Sequence, residues 1–304
     1  MKKLFLSFIF LFMLSASFAC PICGCGVGGF YIGLLPTNQS SFIGLRYQYS
    51  HYDTHLIDQP DQFSNDHYHT AELWGGFSVG KKWQVLGFVP YHFNNQNTDD
   101  GLKTKNGLGD ITVLANYKLW QSSKLMHNNN MFKHEFWIGA GVKLPTGTYN
   151  VDLTDPDTEL GDVNSQMGTG SIDFIANAMY NIHINKIGIN TTVNYKINTT
   201  NNSNFKYGDR FSANSFAYYQ ARATKAIYVA PNIGVLYEHA AANFLSNSKV
   251  DETGGYVTLA SAGLEINYHN ITVGTNLQLP FAQEFAHGQT EAKTRGLVHV
   301  TYAF

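Results

Sequence analysis

From position 41 onward, apolar and polar residues alternate with a period of two, the mark of a strand buried on one face. In the first segment Ile43, Leu45, Tyr47 and Tyr49 point one way, and Gly44, Arg46, Gln48 and Ser50 the other. The next sets Ala71, Leu73, Gly75, Phe77 and Val79 against Thr70, Glu72, Trp74 and Ser78. Further on, Ile111, Val113, Ala115, Tyr117 and Leu119 oppose Asp110, Thr112, Asn116 and Lys118. Ile187, Ile189, Thr191, Val193, Tyr195 and Ile197 oppose Asn190, Thr192, Asn194 and Lys196. The last segment sets Gly296, Val298, Val300, Tyr302 and Phe304 against Arg295, His299 and Thr301. The pattern predicts twelve strands: 41–54, 66–80, 83–95, 107–121, 131–146, 169–184, 187–199, 210–223, 226–241, 254–269, 271–284 and 291–304. Each is long enough to cross a membrane when tilted, which takes roughly 9–11 residues.

The connections alternate as well. Tight turns are expected at Lys81-Lys82, Asn185-Lys186, Thr224-Lys225 and His269-Asn270, with a longer one through Asn128 to Asn130. Long polar loops follow strands 1, 3, 5, 7 and 9, as in Asn97 to Lys105 and Tyr149 to Gln166. Short turns at one end and long loops at the other predict an all-β, antiparallel, up-and-down transmembrane barrel of about twelve strands. An even count puts both chain ends on the short-turn, periplasmic side. The apolar faces are then set against outer-membrane lipid. A soluble sandwich would bury them against one another instead. Closure removes the unpaired edges that lipid cannot satisfy. A monomer is expected, its lumen lined by Arg46, Glu72, Asp110, Lys118, Glu135, Lys143, Asp173, Arg222, Glu238, Glu265 and Arg295.

Composition narrows the alternatives. Only 14% of the 304 residues are charged, against roughly 25% in soluble domains. Lys and Arg number 20, Asp and Glu 22, with no basic run, which argues against nucleic acid as a partner. No apolar run of about 18 residues is present, so no transmembrane helix is expected. The start of the chain sets the compartment: Lys2 and Lys3, an apolar run from Leu4 to Leu14, then small residues up to Ala19. That order reads as a secretory signal peptide over 1–19. Residues 20–40 form a Cys- and Gly-rich periplasmic segment, short enough to be a small plug, and 41–304 the barrel.

All three cysteines, Cys20, Cys23 and Cys25, lie in that segment, which excludes a disulfide-built fold. Their Cys-x-x-Cys-x-Cys spacing suits Cu(I) or zinc. A disulfide and acylation of Cys20 are the alternatives. A metal-handling protein that uses the barrel as an anchor is therefore the second functional class. His67 and His69, on one side of a strand near its loop end, are a further candidate metal pair, with His55, Asp58 and Asp61 in the adjoining loop. His51, His92, His134 and His299 are scattered singly and are expected to be satisfied polar residues. No His-x-Ser occurs, and no Gly-x-x-x-x-Gly-Lys-Ser/Thr phosphate-cradling loop does. An enzyme is not expected.

Two resemblances add to this. The C-terminal Val298, Val300, Tyr302 and terminal Phe304 look like the signature that the barrel-assembly machinery reads in outer-membrane proteins. Three motifs in order, GLGDITVLANYKL (107–119), GAGVKLPTG (139–147) and GTGSIDF (168–174), are similar to the outer-membrane channel family named after the meta-pathway of phenol degradation. That resemblance implies a porin-like transporter for passive movement of small, often hydrophobic, molecules. The motifs also predict a charge network. Asp110 and Asp173 would flank the strand that carries Lys133, Glu135 and Lys143 inward.

Overall fold

The computed structural model describes residues 41–55, 63–99, 101–126, 130–151, 163 and 165–304. The signal peptide, Cys20, Cys23, Cys25, Asp58 and Asp61 lie outside them. The twelve strands are β1 (Phe42–His55), β2 (Phe63–Val79), β3 (Trp83–Thr98), β4 in two pieces (Gly101–Leu108 and Thr112–Leu125), β5 (Met131–Lys143), β6 (Asp173–Ile184), β7 (Ile187–Ile197), β8 (Arg210–Tyr219, continued by Ala221–Arg222), β9 (Ile227–Ala240), β10 (Gly255–Tyr268), β11 (Ile271–Phe285) and β12 (Thr290–Ala303). Each pairs antiparallel with the next. β12 pairs with β1 from Phe42↔Ala303 to Thr54↔Thr290, which closes the cylinder. The predicted all-β barrel of twelve strands is what forms.

Alternation decides the two faces, because successive side chains of a strand point to opposite sides. Outward stand Ile43, Leu45, Leu73, Phe77, Ile138, Ile233, Val235, Val298 and Val300, all exposed. β11 shows the full height of the belt: Ile271, Val273, Leu277, Leu279 and Phe281 are exposed along eleven residues. Exposed aromatic residues flank it, Trp83, Tyr268, Tyr302 and Phe304 at the short-turn end and Tyr47, Tyr91, Phe93 and Tyr237 toward the loops. The tight turns rest on residues that accept a left-handed backbone. Asn185 has φ 52° and His269 φ 53°.

Three features depart from the alternation. The expected loop from Asn97 to Lys105 is instead a hairpin, in which Tyr91↔Leu108 to Thr98↔Gly101 extend β3 and β4 beyond the wall. Its Lys, Thr and Asn residues gave no apolar stripe to reveal a strand. β4 then breaks at Gly109–Ile111, and below the break β3 pairs with the second piece from Phe88↔Thr112. Third, the β11–β12 ladder skips from Gln278↔Arg295 to Phe285↔Thr290. Pro280, which has no N–H to donate, lies in the gap. The Gln283 side chain bridges it, donating to the Ala292 carbonyl at 3.1 Å and accepting from the Ala292 N–H at 2.7 Å.

At the loop end the connections fold over one another. Phe205–Lys206, Phe244–Leu245 and Ser248–Lys249 make a small separate sheet. Val151, Val163, Phe205, Tyr207 and Val250 form an apolar core beneath it. The Tyr207 hydroxyl donates to the Val163 carbonyl at 2.8 Å, and Lys105 Nζ donates to Ser165 Oγ at 2.6 Å.

Candidate functional site: the lumen

The lumen divides into a filled half and a hollow half. Toward the short turns, Phe42, Trp74, Leu86, Phe88, Leu114, Trp137, Ile175 and Met179 pack as one cluster inside the barrel. Opposite them, inward amides and polar residues from β6 to β12 complete the ring: Asn177, Thr192, Asn214, Asn232, Ser261, Asn276 and His299. From Leu86 and Asn116 to Trp137 these side chains are 0–8% exposed. A water-filled bore at this level would leave them wetter, so the described lumen is closed there. Asn276 Nδ2 donates to Asn232 Oδ1 at 3.4 Å, and Ser261 Oγ to Asn276 Oδ1 at 2.7 Å.

Above this floor lies a cavity of about 160 Å³. Its wall comes from alternate positions on most of the strands: Arg46, Gln48, Ser50 and Tyr52 of β1, Tyr68, Thr70 and Glu72 of β2, and Phe88, Pro90 and His92 of β3. Thr112, Lys143, Ile175, Lys196, Arg210, Ser212, Glu238 and Phe285 continue it. Met167, Gly168 and Thr169, from the connection between β5 and β6, also face it.

That connection is held inward by one carboxylate. Asp110, at the break in β4, accepts from the Gly147 N–H at 2.9 Å and from the Thr169 N–H at 2.9 Å. It also takes the Lys143 ammonium, which in turn reaches Asp173 at 2.9 Å. Ser171 Oγ donates to Asp173 at 2.8 Å, and Asn201 Nδ2 donates to the Thr169 carbonyl at 2.9 Å. Gly147 and Gly168 touch here. A Cβ on Gly147 would lie 2.8 Å from the Gly168 Cα, and one on Gly168 would run into Asp110 Oδ1. The three sequence motifs therefore meet at one point, where GLGD supplies the hub carboxylate, VKLPTG the lysine and a close-approach glycine, and GTGSID the second strap.

Ten of the eleven charges expected in the lumen lie inside it. Arg46 pairs with Glu72 and stacks on Trp74 and Phe88, 5.3 and 5.8 Å from the ring centroids. Lys118 reaches Glu135 at 3.5 Å and lies 4.6 Å from the Trp137 ring centre. Arg295 donates to both oxygens of Glu238 at 2.9 Å and to the Tyr52 hydroxyl at 2.8 Å. Glu265 meets His299 at 3.2 Å. The correction is Arg222. It is exposed on the short-turn rim and donates to the carbonyls of Thr224 and Lys225 at 3.2 and 3.0 Å. Strand β8 is interrupted at Gln220, so the alternation that would carry Arg222 down the lumen wall stops there.

The histidines sort by face. His67 and His69 point outward, and each is held by its own tyrosine. His67 Nδ1 bonds the Tyr49 hydroxyl at 2.8 Å, and His69 Nδ1 the Tyr47 hydroxyl at 2.6 Å. His51 stacks on His67 at 4.5 Å and bonds Asp53 at 3.1 Å. Among the described residues no group of three His, Cys, Asp or Glu side chains is arranged to hold a metal ion. His92 bonds Thr70 at 2.9 Å, and His134 bonds the Tyr180 hydroxyl at 3.1 Å.

The pattern of lumen charge hid two things. Trp74 is buried in the floor although alternation placed it on the polar face, so aromatic and aliphatic side chains share that face with the charges. Lys196 and Arg210 also border the cavity. The alternation of β7 placed Lys196 on the polar face, but nothing in the sequence set it opposite Arg210.

No protein-family model matches the chain, and no curated protein matches it in sequence. Solved structures do. An outer-membrane channel from Pseudomonas putida F1 superposes with a TM-score of 0.58 at 15% identity, over 95% of this chain and 98% of that one. The beta domain of the Bordetella autotransporter BrkA gives 0.48 at 10% identity, over 87% and 100%. The monoaromatic hydrocarbon channel CymD gives 0.38 at 9%, over 91% and 93%. At such identities the likeness is one of fold, and it rests on the first of the three.

Proposed function

We propose that the protein is an outer-membrane channel that lets small molecules cross passively, with both chain ends in the periplasm. It would be a porin-like member of the family that its three glycine motifs resemble. The observation that carries this is the pairing of faces on one closed barrel. Closure leaves no open sheet edge, which is what a spanning sheet needs in lipid. The exposed apolar belt far exceeds what a soluble surface carries. Inside, ion pairs and amides surround a cavity, and a packed floor separates that cavity from the short-turn end. Solute would enter past the strapped connection between β5 and β6, rest in the cavity, and leave when the floor rearranges. Lumen polarity and a hydrophobic constriction are established ways to select and gate. Phe304 and Tyr302, exposed at the last turn of the wall, suit recognition by the assembly machinery.

Single-channel conductance in planar bilayers tests the reading, with Trp74→Ala as the diagnostic variant. Removing the indole takes one of the two tryptophans out of the floor. The variant is expected to conduct more than the wild type, with longer open times. A barrel that conducts in neither form would overturn the channel reading.

A further inference from the structure

We infer that the cavity above the floor is a binding site for a small monocarboxylate with a compact apolar body, its carboxylate held between Lys196 and Arg210. This deepens the channel reading by naming the solute class, and it rests on that reading for how the solute arrives and departs. Lys196 and Arg210 are direct cross-strand partners on β7 and β8, and both border the cavity. Like charges set directly opposite repel and destabilise a sheet. The other cavity cations are neutralised: Arg46 by Glu72, and Lys143 by Asp110 and Asp173. Among the described residues, neither Lys196 nor Arg210 makes a side-chain hydrogen bond or ion pair. The nearby carboxylates are occupied, Asp173 by Lys143 and both oxygens of Glu238 by Arg295.

Two basic groups without an ion-pair partner among the described residues, set side by side in a walled cavity, favour an anion between them, because the field is poorly screened there. A guanidinium presents a planar fork that matches a carboxylate, and an ammonium adds a point charge beside it. The rest of the wall chooses among anions. Tyr52, Tyr68, Phe88, Ile175 and Phe285 give the ligand an apolar enclosure, which a bare inorganic anion cannot use. The volume of about 160 Å³ is close to the roughly 150 Å³ of an apolar cavity that takes up benzene. One ring bearing one carboxylate fits both the charge and the space.

Titration calorimetry on the purified full-length barrel in uncharged detergent tests this with four probes: benzoate, benzyl alcohol, acetate and inorganic phosphate. Benzoate should bind at least about tenfold more tightly than each of the others, the size of one charge-assisted hydrogen bond. Lys196→Gln and Arg210→Gln should each weaken benzoate at least about tenfold and leave benzyl alcohol unchanged, while Lys196→Arg should retain binding. Benzyl alcohol or phosphate binding as tightly as benzoate would overturn the proposal on the unaltered protein, so it stays testable even if a variant fails to fold. Folded variants that bind benzoate like the wild type would overturn it as well. Solute flux into liposomes is read separately. Benzoate binding without flux would remove the channel and keep the site, and flux without benzoate binding would do the reverse.

Discussion

The two halves of the lumen are walled by the same strands, yet one is solid and the other hollow. On β2, Trp74 fills the floor, while Thr70, four residues along and on the same face, borders the cavity. On β4, Leu114 and Asn116 are wholly buried, and Thr112 opens the space above them. Gln48, Ser50, Ser212 and Ala240 keep the upper wall thin. Below, Trp137 and Met179 come in from β5 and β6. Strand number sets the diameter of a barrel, but side-chain volume sets its bore. A twelve-stranded wall can thus be a packed core over part of its height and a binding chamber over the rest. The halves also differ in what holds them. The floor rests mainly on packing and amide hydrogen bonds, and the chamber's strap on the Asp110–Lys143–Asp173 hub, so they should fail under different substitutions.

Lys143→Met should have the largest effect, and it should fall on the chamber. The lysine is buried between Asp110 and Asp173. Its loss leaves two buried carboxylates without their cation, at a cost of about 3–5 kcal/mol. The urea midpoint of the heat-modifiable barrel should drop accordingly. An unchanged midpoint would mean that the hub does not hold the strap and that packing dominates both halves. The Asp110→Asn/Lys143→Met double variant should recover part of the loss.

The next test separates inside from outside at one level of β4. Val113 is 37% exposed on the outer face, and Thr112 is 5% exposed on the cavity wall. A charge on the lipid face near the midplane costs roughly 2–4 kcal/mol. Val113→Arg should therefore impair folding into bilayers, whereas Thr112→Arg, with the cavity before it, should fold. Moving the arginine down the same face to Asn116, where no space remains, should again be harmful. Equal tolerance at Thr112 and Asn116 would erase the distinction between chamber and floor.

Much of this was legible in the sequence. Alternation by two fixed the faces of β1, β7 and β12, because one face must be apolar along the whole belt. Asp110, Lys143 and Asp173 could be placed together because adjacent strands put them side by side. What stayed hidden depended on information other than alternation. The hairpin beyond the wall is polar on both faces and carries no period. The lumen face of β2 mixes Glu72 with Trp74, and pattern alone does not say that a tryptophan there is core. Arg222 continues the pattern of β8 in sequence, but the wall has already ended. The opposition of Lys196 and Arg210 depends on the register of two strands joined by a long connection, which no local signal sets.

The smallest expected effect concerns the wall itself, at a place where its ladder is not made of backbone alone. Between Gln278↔Arg295 and Phe285↔Thr290, β11 has six residues and β12 four. A two-residue excess cannot stay in register, and Pro280 removes one donor where the mismatch falls. The Gln283 amide carries the same donor and acceptor as a peptide group, so a single side chain satisfies both polar groups of Ala292. Gln283→Leu keeps the bulk and removes both bonds, leaving an N–H and a C=O unpaired beside the chamber, where Phe285 and Ala292 belong to one apolar cluster. Leaving such groups unsatisfied costs about 1–3 kcal/mol. The expected result is a modest drop in the urea midpoint together with faster hydrogen exchange at the Ala292 amide. Exchange should stay unchanged at Leu236, whose ladders to both neighbouring strands are continuous. Glutamate at 283 should be intermediate, since it still accepts from the Ala292 N–H but offers nothing to the carbonyl. If Ala292 exchanges no faster in the leucine variant, the strands have closed the gap themselves. The chamber wall would then be as continuous as the wall around the floor, and the two halves would differ only in what fills them.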